Sequence, residues 1–257
     1  MKIYQVDAFT DHVFGGNPAA VCPLEYWLPD EKMQKIAMEN NLSETAFFTR
    51  EGERFHIRWF TPELEIDLCG HATLASAHVI FNHLAFERSK IEFIYGGGTL
   101  YVEKEGALLK MNFPAIISEK TVLSDQISHI MGKQPQEVYK SRDLMLIYDN
   151  EQEILDIYPD FSAMVDLNAL GVIVTARGNN VDFVSRFFAP AVGINEDPVT
   201  GSAHCMLIPF WAERLKKNKL SALQLSQRVG TLFCESRGDR VVIAGNTVTF
   251  MEGEIQL

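Results

Sequence analysis

Apolar and polar side chains alternate along most of this chain, and the alternation gives way to helical spacing in only a few stretches. Residues 2–9 set Tyr4, Val6 and Ala8 against Ile3, Gln5 and Asp7, the period of a β-strand. Phe14-Gly15-Gly16-Asn17 reads as a turn that leads into a short buried strand ending near Val21. Residues 29–40 carry Met33, Ile36 and Ala37 at helical spacing, opened by Pro29-Asp30 and closed by Asn40-Asn41. Residues 45–50 and 54–60 form a hairpin around Arg50-Glu51-Gly52-Glu53. Residues 91–95, 98–104 and 107–113 are further strands, separated by Gly96-Gly97-Gly98 and Glu105-Gly106. The glycine run precedes a strand and no Lys-Ser/Thr follows it, so it is not a phosphate loop.

Pro114 to Thr121 reads as a link. A short amphipathic helix follows at 122–132, then a strand at 143–149, a helix at 159–168 and a strand pair at 170–176 and 181–187. Strands at 222–228, 231–236, 239–243 and 247–253 complete the chain. Two helices, opening at Gly70 and at Gly201, stand apart. Ala72, Leu74, Ala75, Val79 and Ile80 make the first apolar nearly all round, which predicts burial inside a curved sheet. The second ends in Lys216-Lys217-Asn218-Lys219, charges suited to a helix C-terminus.

These helices belong to a stretch that the chain writes twice. Arg58-Trp59-Phe60-Thr61-Pro62 leads to Asp67-Leu68-Cys69-Gly70-His71-Ala72-Thr73; Arg186-Phe187-Phe188-Ala189-Pro190 leads to Asp197-Pro198-Val199-Thr200-Gly201-Ser202-Ala203-His204. Phe60 and Phe188 lie 128 positions apart, and Gly70 and Gly201 lie 131 apart, in 257 residues. A period of half the chain predicts a duplicated α+β fold of two pseudo-symmetric halves, each a curved sheet around one central helix. The halves are expected at 1–115 and 116–257, with the last strand free to return to the first half.

Composition changes little in this picture. A chain 47% hydrophobic and 22% charged is ordinary for a globular protein. The net charge of −11 leaves no basic stripe to track phosphates, which argues against nucleic acid. Cys22, Cys69, Cys205 and Cys234 are scattered without a CxxC, which fits a reducing cytoplasm rather than a disulfide framework. The N-terminus lacks a signal-peptide apolar core, and no apolar run approaches a membrane span, so no membrane partner is expected.

The candidate chemistry lies at the two glycine-opened helices. Unpaired N–H groups there carry partial positive charge, and glycine permits close approach, so two such ends facing one cleft would suit a ligand bearing carboxylates. Either glycine could also serve the turn alone. The copies differ at the position before the glycine, where Cys69 stands against Thr200. A threonine hydroxyl is too weak an acid to shuttle protons near neutrality, so a symmetric two-base racemase is disfavoured. Glu44 stands upstream of the first motif, while the equivalent place near Leu170-Gly171 has no acid. Glu44 reads either as a solvated strand end or, in a closed cleft, as a proton-transfer group. Asn17 reads either as a hairpin residue or as an amide that grips a carboxylate. Arg58 and Arg186 head equivalent strands and read as structural ion pairs. Cys69 and His204 read as packed side chains. His56, His78, His83, His129 and His204 show no metal-ligand spacing, and neither metal nor cofactor is expected.

Asp7-Ala8-Phe9, Gly16 to Val21, Asn41-Leu42-Ser43-Glu44-Thr45 and the two repeated motifs together resemble the PhzF family, the phenazine-biosynthesis-like isomerases, along the whole chain. The resemblance implies a diaminopimelate-epimerase-like fold with the site between the halves. Epimerases of that fold carry a cysteine before each helix glycine; here only Cys69 matches. The family's enzyme isomerises trans-2,3-dihydro-3-hydroxyanthranilate without a cofactor. The resemblance therefore implies a cofactor-independent proton shift on a small, anionic, amino-bearing substrate, with Glu44 as general acid/base. It assigns His71, Asp197 and Ser202 to holding the substrate and assisting proton transfer, and Asp7, Asn17, Gly70, Thr200 and Gly201 to lining the cleft. A homodimer is expected. Two alternatives stay open: a racemase or epimerase using Cys69 with Glu44, and a non-catalytic small-molecule-binding protein.

Overall fold

The computed structural model describes residues 1–122, 124–167 and 169–257; Leu123 and Asn168, one position in each of the helices expected at 122–132 and 159–168, lie outside it. In chain order the elements are β1 (Lys2–Ala8), β2 (Asn17–Leu24), α1 (Asp30–Asn40), β3 (Glu44–Glu51), β4 (Arg54–Phe60), β5 (Glu65–Ile66), α2 (Gly70–His83), β6 (Lys90–Tyr95), β7 (Gly98–Glu105) and β8 (Leu108–Pro114). Then follow β9 (Glu119–Thr121), α3 (Asp125–Met131), β10 (Glu137–Lys140), β11 (Leu144–Ile147), α4 (Glu151–Asp156), α5 (Phe161–Met164), β12 (Val172–Arg177), β13 (Phe183–Phe188), a 3-10 turn (Pro190–Val192), α6 (Gly201–Leu215), β14 (Lys219–Gln224), β15 (Gly230–Arg237), β16 (Arg240–Gly245) and β17 (Thr247–Glu254). Two compact units divide the chain: Met1–Asn112 with Ile243–Leu257, and Phe113–Val242.

In the first unit the strands pair in the order β17, β1, β2, β3, β4, β6, β7, β8, with β5 a short addition to β4. Two of the neighbouring pairs, β2–β3 and β4–β6, are parallel, and helices α1 and α2 make those crossovers. Met33, Ile36 and Ala37, the apolar face of α1, are buried against Ile3, Ala20, Cys22, Phe47 and Phe60. Asn41 closes α1 in the left-handed region at φ 47°. Helix α2 is buried from His71 through Ile80 without a break, as its all-round apolar pattern requires.

The second unit repeats this plan: β9, β10, β11, β12, β13, β14, β15, with β11–β12 and β13–β14 parallel. The registers match residue for residue. Thr45 faces Phe60 across β3–β4, and Val172 faces Phe188 across β12–β13. Glu44 therefore corresponds to Gly171, where an added Cβ would lie 2.3 Å from the Phe187 ring. The second half has no acid at this place, and Phe187 leaves no room for one. Arg58 and Arg186 are also equivalent. Each makes a two-armed ion pair, to Glu65 and to Glu196, and each lies over a ring two residues on, Phe60 at 5.2 Å and Phe188 at 4.9 Å. Each also ties its strand to an earlier helix, through Asp30 on α1 and through the Ile154 and Ile157 carbonyls at the end of α4.

Besides the two-residue β5, three elements were not expected from the pattern. Strand β9 lies in the stretch read as a link; Glu119, Lys120 and Thr121 are all exposed, so nothing alternates. Strand β10 has one buried residue, Val138, and helix α4 has one, Ile154, too few to show a period. Two boundaries also shift. The helix expected at 159–168 spans Phe161–Met164, and the strand expected at 222–228 runs from Lys219 to Gln224. Lys216 already turns left-handed at φ 55° and ends α6, so the lysine run is shared between helix end and strand start. Pro209, inside α6, has no N–H to give the Cys205 carbonyl, and Ile116 N–H fills that place at 2.9 Å.

The loop between β1 and β2 is held under strain. Phe9 and Phe14 take positive φ, at 64° and 72°, and Gly16 sits at φ 59° with its Cα so close to β1 that a Cβ would lie 2.0 Å from the Ala8 carbonyl oxygen. The buried Asp7 carboxylate braces this loop by accepting the Phe14 N–H at 2.9 Å. Gly16→Ala is expected to cost about 1–3 kcal/mol or more, read as a fall in the urea midpoint, because both the dihedral and the clash oppose it.

Candidate active site

Helices α2 and α6 begin unlike the others. Ser124, Asn150 and Asp160 cap α3, α4 and α5 by accepting a backbone N–H, and α1 carries Asp30 and Glu31 in its first turn. Neither Cys69 nor Thr200 caps its helix with a side chain, and neither helix has an acid in its first turn. Their N-terminal N–H groups and partial positive charge are therefore not answered from within the helix.

In the first unit, the turn into α2 gathers the candidate residues. β2 and β3 pair in parallel with Ala19 opposite Glu44, so Asn17 and Glu44 stand at the same end of adjacent strands. His71, in the first turn of α2, lies between them. Its Nδ1 is 3.2 Å from the Asn17 amide and 3.5 Å from Cys69 Sγ; its Nε2 is 3.1 Å from Glu44 Oε2. Asn17, Glu44, Cys69 and His71 are all buried, Glu44 being 8% exposed. The Glu44–His71 contact is close but poorly aligned: neither Glu44 Oε2 nor His71 Nε2 makes a hydrogen bond. Thr73 Oγ1 donates to the Cys69 carbonyl at 2.5 Å and fixes the turn.

The electrostatics follow from burial and neighbours. Burial opposes a charged His71 ring, but Cys69 and Glu44 beside it outweigh burial and raise its pKa well above the ordinary 6.5. Burial, and then the Glu44 charge, push the Cys69 thiol up from its ordinary 9.0, and His71 only partly offsets this. A thiol held neutral supplies no charge at pH 7, so the Glu44 carboxylate is the anion that favours a protonated His71. A protonated ring requires the Asn17 amide to present its oxygen to Nδ1, a half-turn of the same group.

The second unit holds the other candidates. The Asp197 carboxylate accepts the Thr200 hydroxyl at 2.5 Å, and Ser202 is half-buried in the first turn of α6. His204 Nδ1 lies 2.8 Å from the Thr200 carbonyl, so it donates there and does for this turn what Thr73 does for the first. Burial lowers the His204 pKa to about 4, which keeps the ring neutral. The residue that sequence reasoning missed is Gln224. Fully buried at the end of β14, it accepts the Thr200 N–H at 2.8 Å and donates to the Asp197 carbonyl at 2.8 Å and to Thr200 Oγ1 at 3.1 Å. Its signal was available: a polar side chain stands on the inward alternation Leu220, Ala222, Gln224. Gln224→Met is expected to cost about 1–3 kcal/mol, because it strands the Thr200 N–H; thermal unfolding checks it.

Comparison with known proteins places the chain in a family. The family description "PhzC-PhzF: Phenazine biosynthesis-like protein" matches residues 6–253. An uncharacterized isomerase of Pseudomonas aeruginosa is 50% identical over 258 residues, covering 100% of this chain and 99% of that protein. A crystal structure of a PhzF-family phenazine biosynthesis protein from Enterococcus faecalis superposes with TM-score 0.98 at 49% identity, covering 100% of this chain and 99% of that one. As fold alone, the likeness extends to a probable proline racemase of Agrobacterium radiobacter, with TM-score 0.64 at 8% identity over 100% of this chain and 93% of the other.

Proposed function

The chain belongs to the PhzC-PhzF, phenazine biosynthesis-like, family, and on that premise we propose that it is a cofactor-independent isomerase that shifts a proton between carbons of a small carboxylated, amino-bearing substrate. That its relatives carry the name isomerase supports the reaction class. The observation that carries the residue assignment is the buried Glu44 carboxylate, 3.1 Å from His71 and without a hydrogen bond at the facing oxygen.

In this reading Glu44 removes a proton from an acidic carbon, and the electron pair left behind delocalises towards the substrate's carboxylate. Helix N–H groups aimed at that carboxylate stabilise it as an oxyanion hole does. Glu44 then returns the proton to another carbon of the same system, so no net proton is exchanged with a second base. His71 orients Glu44. The broken symmetry supports one base over two: Glu44 has Gly171 as its counterpart, and Cys69 has Thr200.

The test is incubation of the protein in deuterium oxide with trans-2,3-dihydro-3-hydroxyanthranilate and with a panel of small amino carboxylates, followed by proton NMR. Deuterium appearing at a ring or chain carbon together with a double-bond shift supports the proposal. Deuterium confined to the α-carbon of a chiral amino acid, with loss of optical activity, would instead favour a racemase using Cys69. That rival has one observation behind it, the 3.5 Å contact between Cys69 Sγ and His71.

A further inference from the structure

The side chains of Glu44, Cys69 and His71 have a property that proton transfer does not use. Each offers a ligand atom, and the three atoms lie within 4.8 Å of one another, all from buried residues. We propose that this trio binds Zn²⁺, and that the bound metal excludes substrate and switches the protein off. The inhibitory arm rests on the role given to Glu44 above; the binding arm does not.

Glu44 Oε2 and His71 Nε2 are the two atoms that begin the site. Both are buried, neither is hydrogen-bonded, and they stand 3.1 Å apart. Two ligands about 2.0 Å from a tetrahedral zinc are separated by about 3.3 Å, so this pair is already close to a bite. Their direct contact is not an aligned hydrogen bond, and an ion between them would bond both. Cys69 Sγ now sits beside the other ring nitrogen, at 3.5 Å from Nδ1. Binding at Nε2 requires the Cys69 side chain to rotate so that its sulfur joins as third ligand, with water as the fourth.

The supporting groups fit. When Nε2 binds metal, Nδ1 must be fixed by an outer partner, and the Asn17 amide lies 3.2 Å from it. Binding releases two protons to solvent, one from the His71 ring and one from the Cys69 thiol, and the remaining carboxylate and thiolate then cancel the dication in a buried place where an unmatched charge is costly. The donor set selects the metal. A thiolate with an imidazole and a single carboxylate suits zinc and cobalt, whereas magnesium and calcium require oxygen ligands. His78, His83 and His204 do not compete on these grounds: His78 and His83 bind the Thr247 and Thr249 hydroxyls, and His204 a backbone carbonyl.

Cobalt substitution tests it. Co²⁺ added to the intact protein is expected to give one intense thiolate-to-metal absorption per chain, displaced by Zn²⁺ and absent in Cys69→Ser. Asn17→Ala should retain the band and weaken Zn²⁺ binding by about 10–100-fold in calorimetric titration. Absence of the band in the parent protein, or its persistence in Cys69→Ser, overturns the site. In the exchange assay Zn²⁺ should compete with substrate, and a chelator should restore exchange. A band without any exchange in the metal-free protein would sink the isomerase reading and leave the metal site standing; exchange without a band would do the reverse.

Discussion

Replacing Glu44 by Gln is expected to lower solvent-deuterium exchange into the substrate by about 10²–10⁴-fold, the usual share of a positioned general acid/base. The substitution keeps the shape and the oxygen that faces His71 but removes the proton-accepting charge. Substrate affinity should change far less than turnover, because the loss falls on the transition state. Cys69→Ser serves as the control. Burial and the Glu44 charge keep that thiol protonated, so it cannot act as a base near neutrality, and the serine variant should keep most of the exchange. Equal loss in the two variants would contradict the single-base mechanism and favour shared Cys–Glu chemistry. His71→Asn should fall between them, since His71 acts on the substrate proton through Glu44.

Acidification is expected to unfold the protein through two histidines, one in each unit. His78 is buried between α2 and β17, 2.7 Å from the Thr247 and Thr249 hydroxyls; burial first, then His83 and Lys104, lower its pKa from 6.5 to about 4. His204 is fully buried and lowered to about 4 by burial, against which its bond to the Thr200 carbonyl acts weakly. Both rings fold neutral, while in the unfolded chain they bind protons below about pH 6.5. The unfolded state therefore gains protons first. The stability these rings contribute is whole above pH 6.5 and is lost as pH falls from there to about 4. A shift of this size is worth about 3 kcal/mol per ring at the acid limit, so the pair removes a large share of an ordinary domain stability. Urea midpoints measured from pH 7 to pH 4 should fall steeply, and His78→Gln should flatten the fall. A midpoint independent of pH across that window would refute the assignment. His71 has the opposite sign: its raised pKa adds stability at low pH that is lost as pH rises through that raised value, so acid does not act through it.

Much of the fold was legible because its signals are local. A strand alternates with period two and a helix with period 3.6 whatever surrounds them, so Met33, Ile36 and Ala37 announce the buried face of α1, and the nearly all-round apolar spacing after His71 announces an enclosed α2. The duplication was legible for the same reason. The two copies meet the same local demands, and Arg58 and Arg186 could be read as ion-pairing residues before Glu65 and Glu196 were known as their partners. Strand β9, strand β10 and helix α4 were not legible, because pieces of three to six residues with one buried side chain or none have no period to show.

The chemistry divides along the same line. The sequence by itself determined that one half carries a carboxylate and a thiol where the other carries glycine and threonine, because residue identity needs no coordinates. Only the tertiary structure decided what those groups can do. Glu44 and His71 are far apart along the chain and meet because a parallel strand pair and a helix crossover end at one place. Their burial, the misalignment that leaves two facing atoms unsatisfied, and the bracket that Gln224 puts on the second turn all depend on register between distant segments. Periodicity is fixed by the backbone of a single element, whereas register is fixed by how several elements pack, and proton chemistry depends on the second.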